Sequence, residues 1–197
     1  MAIFKPTMSN NNNNNLGISE FGLIEFTDKS GDFDWADIFI EVKIKQKDNA
    51  YDRMLQIKGS FDFENGKIVG GSALKRMYQF FDEIGCSAGI NVDGEWEDES
   101  GNKIENIEKY LNDNFLKPGS DYEVPMEYIG YFYNEPPKTP GGKIYTRVWS
   151  KIYKNSKENK VRLEDDVKWM KSKGYIKEMT NEAPKKTEMS GSGLANL

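Results

Sequence analysis

The eleven residues 143–153 read KIYTRVWSKIY. Over this whole stretch, apolar or small side chains alternate with aromatic and basic ones, which is the period-two pattern of a strand with one buried face. The predicted inward-facing side chains are those of Ile144, Thr146, Val148, Ser150 and Ile152. The opposite face carries Tyr145, Arg147, Trp149, Lys151 and Tyr153. The stretch therefore predicts a long strand whose outer face interleaves aromatic rings with cations.

A second alternating stretch, residues 124–133, lies just before this strand. The two are separated by residues 134–142, which include three prolines and two glycines, a composition typical of a hairpin connection. Tyr131 and Tyr133 share one face of the first strand, and Lys138 and Lys143 add positive charge near the tip. We expect an antiparallel hairpin, with the register deciding which face of residues 124–133 joins the aromatic and basic surface.

The rest of the chain predicts three earlier strands and three helices. Residues 20–27, 35–45 and 54–63 each alternate as strands do. A helix is predicted from Ser72, as N-cap, to Gly85, as C-cap, because apolar residues recur between them at helical spacing. Apolar residues from position 104 predict a second helix that ends by Pro118, and those after position 161 predict a last helix over residues 162–173.

Three strands, a helix, two strands and a final helix is the order of the OB-fold. The sequence therefore predicts a mainly β protein, an OB-like five-stranded antiparallel barrel with inserted helices and a C-terminal helix, although other small α+β sheets share this order. Six consecutive asparagines, residues 10–15, cannot bury apolar surface. The predicted parts are a flexible Asn-rich arm (1–19), the OB-like domain (20–155), a C-terminal helix (156–177) and a disordered tail (178–197).

Composition excludes several classes of protein. The chain of 197 residues has no histidine, so histidine acid–base catalysis and histidine metal ligands are absent. Its one cysteine, Cys86, cannot form an intramolecular disulfide, which favours a reducing compartment. No segment has the length and apolarity of a membrane span. We expect a cytoplasmic binding protein without cofactor, bound metal or enzymatic activity, and its oligomeric state stays open.

Charge is distributed unevenly along the chain. The net charge is −5, but residues 138–177 hold 12 basic and four acidic side chains, a net of +8. A basic segment in an otherwise acidic protein favours a local anionic partner, or else pairs with the acidic part of the same chain.

The basic segment includes the aromatic and cationic strand. Single-stranded nucleic acid suits such a surface, because bases stack on exposed rings while Arg and Lys neutralise phosphates. The predicted nucleic-acid-binding residues are Tyr145, Arg147, Trp149, Lys151, Tyr153, Tyr131, Tyr133, Lys138 and Lys143. The alternative is structural, since aromatic residues and long cations also pair across strands and stabilise an exposed sheet face.

A third interpretation is enzymatic. Glu41 and Lys43 lie two residues apart on one face of a predicted strand, and Asp28, Asp32 or Asp34 precede them. Many metal-dependent nucleases arrange ligands in this way, with two carboxylates holding Mg²⁺ and a lysine stabilising charge. The pattern is short, and charged residues alternate on any half-exposed strand.

Three segments resemble a family of phage-encoded proteins found among replication and recombination genes. They are LQIKGSF (55–61), the helix LKRMYQFFDEIG (74–85) and the strand GKIYTRV (142–148), and the resemblance spans residues 35–153. It implies an OB-fold that coats or protects single-stranded DNA, with replication or recombination proteins as partners. The last six residues, 192–197, are not acidic, which departs from the acidic tail of many single-strand binders. A phage structural or assembly protein, with the same face as a protein interface, is the alternative.

Overall fold

The structure is a computed structural model that describes residues 16–117 and 123–179. Within these residues the chain forms ten strands, one 3₁₀ turn and three α-helices. The strands are β1 (Gly17–Asp28), β2 (Ile38–Gln46), β3 (Arg53–Gly59), β4 (Asp62–Glu64), β5 (Lys67–Gly70), β6 (Gly89–Ile90), β7 (Trp96–Glu97), β8 (Tyr128–Glu135), β9 (Tyr145–Val148) and β10 (Tyr153–Lys154). The helices are α1 (Ser72–Ile84), α2 (Ile107–Phe115) and α3 (Lys157–Ser172).

Six strands form one antiparallel sheet in the order β10-β8-β1-β2-β3, with β9 also paired to β8. β9 pairs with Phe132–Glu135 and β10 with Tyr128–Ile129, so the two short strands follow one another along the same edge of β8. They are one strand interrupted at residues 149–152. The prediction of a mainly β protein with inserted helices and a C-terminal helix is confirmed at this level.

The predicted barrel is not closed. Cα atoms of β3 and β9 come within 8 Å of each other, but no hydrogen-bonded ladder joins these strands in the described part of the chain. β9 has only four residues, and the chain then leaves strand conformation. β9 is therefore too short to offer β3 a continuous edge for pairing.

The inward faces of the strands and helix α1 build the main core. Ile38, Ile40, Val42 and Ile44 alternate along β2 as predicted and are all buried. The predicted helix also forms and ends at Gly85, which adopts the left-handed conformation (φ 79°) that glycine tolerates best. Its start differs from the prediction, because Ser72 is the first helical residue and Gly71 precedes it as the cap.

Helix α3 packs on the opposite, outer side of the sheet. It begins at Lys157, five residues before the predicted start, and the side chain of Ser156 accepts a hydrogen bond from the backbone N–H of Asn159 (3.1 Å). Leu163 and Val167 are buried against Ile129 in a second apolar cluster, separate from the main core. This helix decides which part of the outer sheet face is exposed.

The predicted ends of the domain need adjustment where they are described. β1 begins at Gly17, inside the predicted arm 1–19, and the backbone N–H of Met179 donates to the carbonyl oxygen of Asn134 (2.9 Å), inside the predicted tail 178–197. The remainder of both predicted ends, residues 1–15 and 180–197, lies outside the described residues. Within the described ranges, no helix combines the length and apolarity needed to cross a membrane.

Candidate nucleic-acid interface

The outer face of the β8–β9 hairpin carries the side chains that the alternation predicts. Tyr133 is opposite Arg147 in the β8–β9 register, and both project from the face away from the main core. Val148 and Ile152 belong to the core on the other face, as expected. The register therefore joins Tyr131 and Tyr133 to the face of Tyr145, Arg147 and Trp149. Along this face, however, the predicted residues fall into two groups with different surroundings.

One group lies beneath α3. Tyr153 is 1% exposed, and its hydroxyl donates to Oδ2 of Asp166 in α3 (2.5 Å). The ammonium of Lys151 is 2.6 Å from the same oxygen, and it also lies 5.5 Å from the centre of the Tyr153 ring. Burial and the bond to Asp166 raise the pKa of the Tyr153 hydroxyl, so it stays a neutral donor.

A second contact of the same kind involves Tyr131, which lies on β8 two residues after Ile129, the residue opposite Tyr153. The buried Tyr131 donates its hydroxyl to Oε2 of Glu178 (2.5 Å), six residues after the end of α3. Lys171 is paired with Glu178 (2.7 Å) and lies 4.7 Å from the centre of the Tyr131 ring. We call these two tyrosine–carboxylate–lysine groups the carboxylate clamps. They fasten α3 and the segment after it to the sheet.

Three of the nine predicted binding residues, Tyr131, Lys151 and Tyr153, therefore serve the interior in this structure. The rings of Tyr131 and Tyr153 are covered, and the charge of Lys151 is balanced by Asp166. Helix α3 supplies Asp166, while its two partners come from β10 (Tyr153) and from the segment between β9 and β10 (Lys151). These three residues are not open to a ligand.

The second group surrounds an open cleft between β3 and the β8–β9 hairpin. This cleft has a volume of about 330 Å³. Four of the predicted residues line it, namely Tyr133, Lys138, Arg147 and Trp149. The floor and far wall come from β3, through Met54, Gln56 and Lys58. Tyr145 lies at the rim, 56% exposed, with the Arg147 guanidinium 5.6 Å from its ring centre. Lys143 is exposed in the loop that leads to β9.

The sequence interpretation missed an aromatic cluster on the β3 side of the cleft. Trp35 is 53% exposed, and its ring centre lies 5.9 Å from that of Phe39 on the outer face of β2. Phe33 stacks on Phe39 with ring centres 5.1 Å apart. Phe39 is opposite Lys58 in the β2–β3 register, and the Lys58 ammonium is 5.1 Å from the Phe39 ring and 5.8 Å from the Trp35 ring. Lys58 thus joins the aromatic cluster to the cleft.

Positive charge at the cleft is only partly balanced. The pKa of Lys58 lies below its usual value, because burial and the nearby Arg147 and Lys138 oppose its protonated form, although Glu41 and Glu135 favour it. Arg147 forms an ion pair with Glu135 (2.9 Å) and keeps 42% of its side chain exposed. A phosphate placed among these cations would relieve their mutual repulsion.

The outward carboxylate of β2 is engaged by its neighbours. Glu41 is paired with Lys29 and accepts a hydrogen bond from Gln56 (2.7 Å). Burial raises the pKa of Glu41, but the hydrogen bonds from Lys29 and Gln56 outweigh it and hold the pKa below the usual value. Lys43 lies 3.6 Å from Asp52. Throughout residues 16–117 and 123–179, no three Asp, Glu or Cys side chains are grouped so as to hold a metal ion.

The chain matches no protein-family model, no curated protein and no solved structure. The resemblance to phage single-strand binders therefore stays a prediction, and function has to be argued from the cleft itself.

Proposed function

We propose that this protein binds single-stranded DNA in the cleft between β3 and the β8–β9 hairpin, without marked sequence preference. The observation that carries the proposal is that aromatic rings and incompletely balanced cations from distant parts of the chain come together at one open cleft. The exposed rings of Phe33, Trp35 and Tyr145 lie beside the cleft, and the half-buried rings of Tyr133 and Trp149 line it. The cations are Lys58, Lys138 and Arg147.

The arrangement of strands supports an OB-like interpretation of the sheet. β1, β2 and β3 form a meander, helices follow, and the returning hairpin places β8 beside β1 and β9 close to β3. In an OB-fold, oligonucleotides bind over the second and third strands, between the loop after the first strand and the loop of the last hairpin. Here those loops are residues 29–37, with Phe33 and Trp35, and residues 136–144, with Lys138 and Lys143.

The chemistry of the cleft suits a single strand better than a duplex. Stacking requires unpaired bases whose faces are free, and each base stacked on an aromatic side chain contributes roughly 1–3 kcal/mol. The rings offer flat surfaces that accept any base, which explains why little sequence preference is expected. In a duplex the bases already stack on each other, so only the weaker phosphate contacts would remain.

The proposal is tested with a labelled oligo-dT of about five nucleotides, within the range that one OB-fold binds. Trp35→Ala removes an exposed ring and is expected to weaken binding about fivefold or more. The matched control is Phe63→Ala, because Phe63 is equally exposed (54%) but lies between Asp62 and Glu64 on the β4–β5 hairpin. Circular dichroism checks that both variants keep the fold.

Affinity should fall as the salt concentration rises, because bound phosphates displace counterions. A duplex of equal length should bind much more weakly. If the wild-type protein does not bind oligo-dT at low salt, or if Trp35→Ala and Phe63→Ala behave alike, the proposal is wrong. The cleft would then be tested as an interface for a protein partner, as expected for a structural or assembly protein.

A further inference from the structure

A second exposed aromatic pair lies outside the cleft, at the C-terminal end of α3. The rings of Trp169 and Tyr175 are in contact, with centres 6.0 Å apart, and they are 55% and 68% exposed. Helix α3 buries Leu163 and Val167 against the sheet, so these two rings are not part of its packing face. Two large rings left open side by side indicate a contact with something outside the domain.

The surroundings of this pair are strongly basic. Residues 167–177 include Lys168, Lys171, Lys173 and Lys177 and no acidic residue. Lys171 belongs to a carboxylate clamp, and Lys168 is paired with Asp165 at an exposed position. Lys173 and Lys177 form no ion pair with any described residue. A polyanion, rather than an apolar protein surface, fits two rings bordered by unbalanced lysines.

The chain connects this pair to the cleft over a short distance. Met179 follows Tyr175 by four positions, a stretch that spans at most about 14 Å. The N–H of Met179 bonds to the carbonyl oxygen of Asn134, and the next residue on either side of Asn134, Tyr133 and Glu135, lines the cleft. A nucleic-acid strand that leaves the cleft past the end of β8 thus reaches α3 within a few nucleotides.

We propose that a single strand longer than the cleft continues past the end of β8 onto the end of α3, where Trp169 and Tyr175 stack further bases. The inference rests on the proposed function, and it assigns a binding role to the end of α3 and the residues that follow it, which lie outside the alternating strand of residues 143–153. Lys173 and Lys177 would contact the phosphates of this outer part of the strand.

The length of the oligonucleotide separates this inference from the function it rests on. Wild-type protein is titrated with oligo-dT of about five and about fifteen nucleotides, which bracket the sites of OB-folds. The double variant Trp169→Ala with Tyr175→Ala should bind the short strand as the wild type does and the long strand roughly thirtyfold more weakly. Because both rings are exposed, these substitutions should leave stability nearly unchanged.

Two further variants sharpen the result. Val161→Ala, also at an exposed position of α3, serves as the control and should change neither affinity. Trp169→Phe keeps a ring, so it should retain most of the affinity for the long strand while losing the fluorescence quenching that Trp169 contributes.

The outcomes are distinct. If the long strand binds the double variant as tightly as the wild type, the outer stacking site is absent, and the pair is a surface for a protein partner. If neither strand binds the wild type, the proposed function fails and this inference fails with it. A loss for the short strand as well would place Trp169 and Tyr175 in the cleft's own binding event, which also contradicts a separate outer site.

Discussion

Tyr145 and Tyr153 lie on the same face of one interrupted strand, eight residues apart, yet Tyr145 is 56% exposed and Tyr153 is 1% exposed. Both follow the same alternation of ring and cation. Tyr145 has Arg147 beside it at the rim of an open cleft, whereas Tyr153 has Lys151 beside it under α3. A repeated sequence pattern therefore produces a surface in one half of the face and packing in the other.

The two halves also differ in how their cations are balanced. In the covered half, Asp166 and Glu178 each accept from a tyrosine hydroxyl and pair with a lysine, so these two carboxylates and two lysines balance one another at short range. In the open half, Glu135 pairs with Arg147, while Arg147 and Lys138 both repel Lys58. What separates the covered half from the open half is the presence of acidic residues supplied by α3 and the segment after it.

Replacing the two tyrosines tests this comparison most strongly. Tyr153→Ala removes a fully buried ring together with its bond to Asp166, and we expect a loss of about 3–5 kcal/mol in the free energy of unfolding. Tyr145→Ala removes an exposed ring and should change that free energy by no more than about 0.5 kcal/mol. Urea unfolding followed by circular dichroism measures both. Equal losses would contradict the division of the face into two halves.

Charge substitutions test the same division through binding. Arg147→Ala and Lys151→Ala each remove one positive charge from the same stretch of chain. We expect Arg147→Ala to weaken the binding of short oligo-dT. The decline of the logarithm of the binding constant with the logarithm of the salt concentration should become less steep by about 0.7, the value for one phosphate contact on a single strand. Lys151→Ala should leave that slope unchanged, because its ammonium pairs with Asp166 beneath α3, whereas Arg147 keeps 42% of its side chain exposed at the cleft.

The salt titration is read only for variants that remain folded, since Lys151→Ala leaves Asp166 without its ion-pair partner. The double variant Trp149→Ala with Arg147→Ala removes a ring and a cation from the cleft and should weaken binding more than Arg147→Ala alone. An unchanged affinity for this double variant would exclude the β9 side of the cleft from the binding surface.

Patterns among residues close in sequence predicted most of the strands and helices. Strict alternation in β2 identified its buried residues, and apolar spacing with a terminal glycine identified α1, because both depend on neighbours close in sequence. The start of α3 was missed because residues 157–162 are almost all polar. Its first turns are largely exposed, so no apolar period marks them.

Features that depend on distant residues could not be predicted. Alternation places Tyr153 on the outer face, but it carries no information on which element covers that face. Likewise, alternation along residues 35–45 places Phe39 on the outer side of its strand, yet its contacts with Lys58 and Trp35 depend on the β2–β3 register and on the path of the loop before β2. Closure of the sheet depends in the same way on how β9 meets β3.

Acid titration should produce the smallest of these differences, and it concerns the clamps. Burial raises the pKa of Asp166, but hydrogen bonds from Lys151 and Tyr153 outweigh it, so the folded protein holds the pKa below its usual value. Glu178 is lowered in the same way, by Lys171 and Tyr131 against burial. The unfolded chain therefore takes up protons at a higher pH than the folded protein does.

It follows that the clamps contribute stability above the unfolded pKa of these carboxyls, and that this contribution is lost as the pH falls through their folded pKa. Asp166→Asn should flatten the decline in unfolding free energy between about pH 5 and pH 3. The change should stay below about 1 kcal/mol, since both partners are partly exposed to solvent. Asp62→Asn, on the β4–β5 hairpin away from the clamps, is the control and should keep the wild-type slope. If Asp166→Asn and the control decline alike, the clamp does not hold α3 to the sheet electrostatically, and the apolar contacts of Leu163 and Val167 alone account for the covered half.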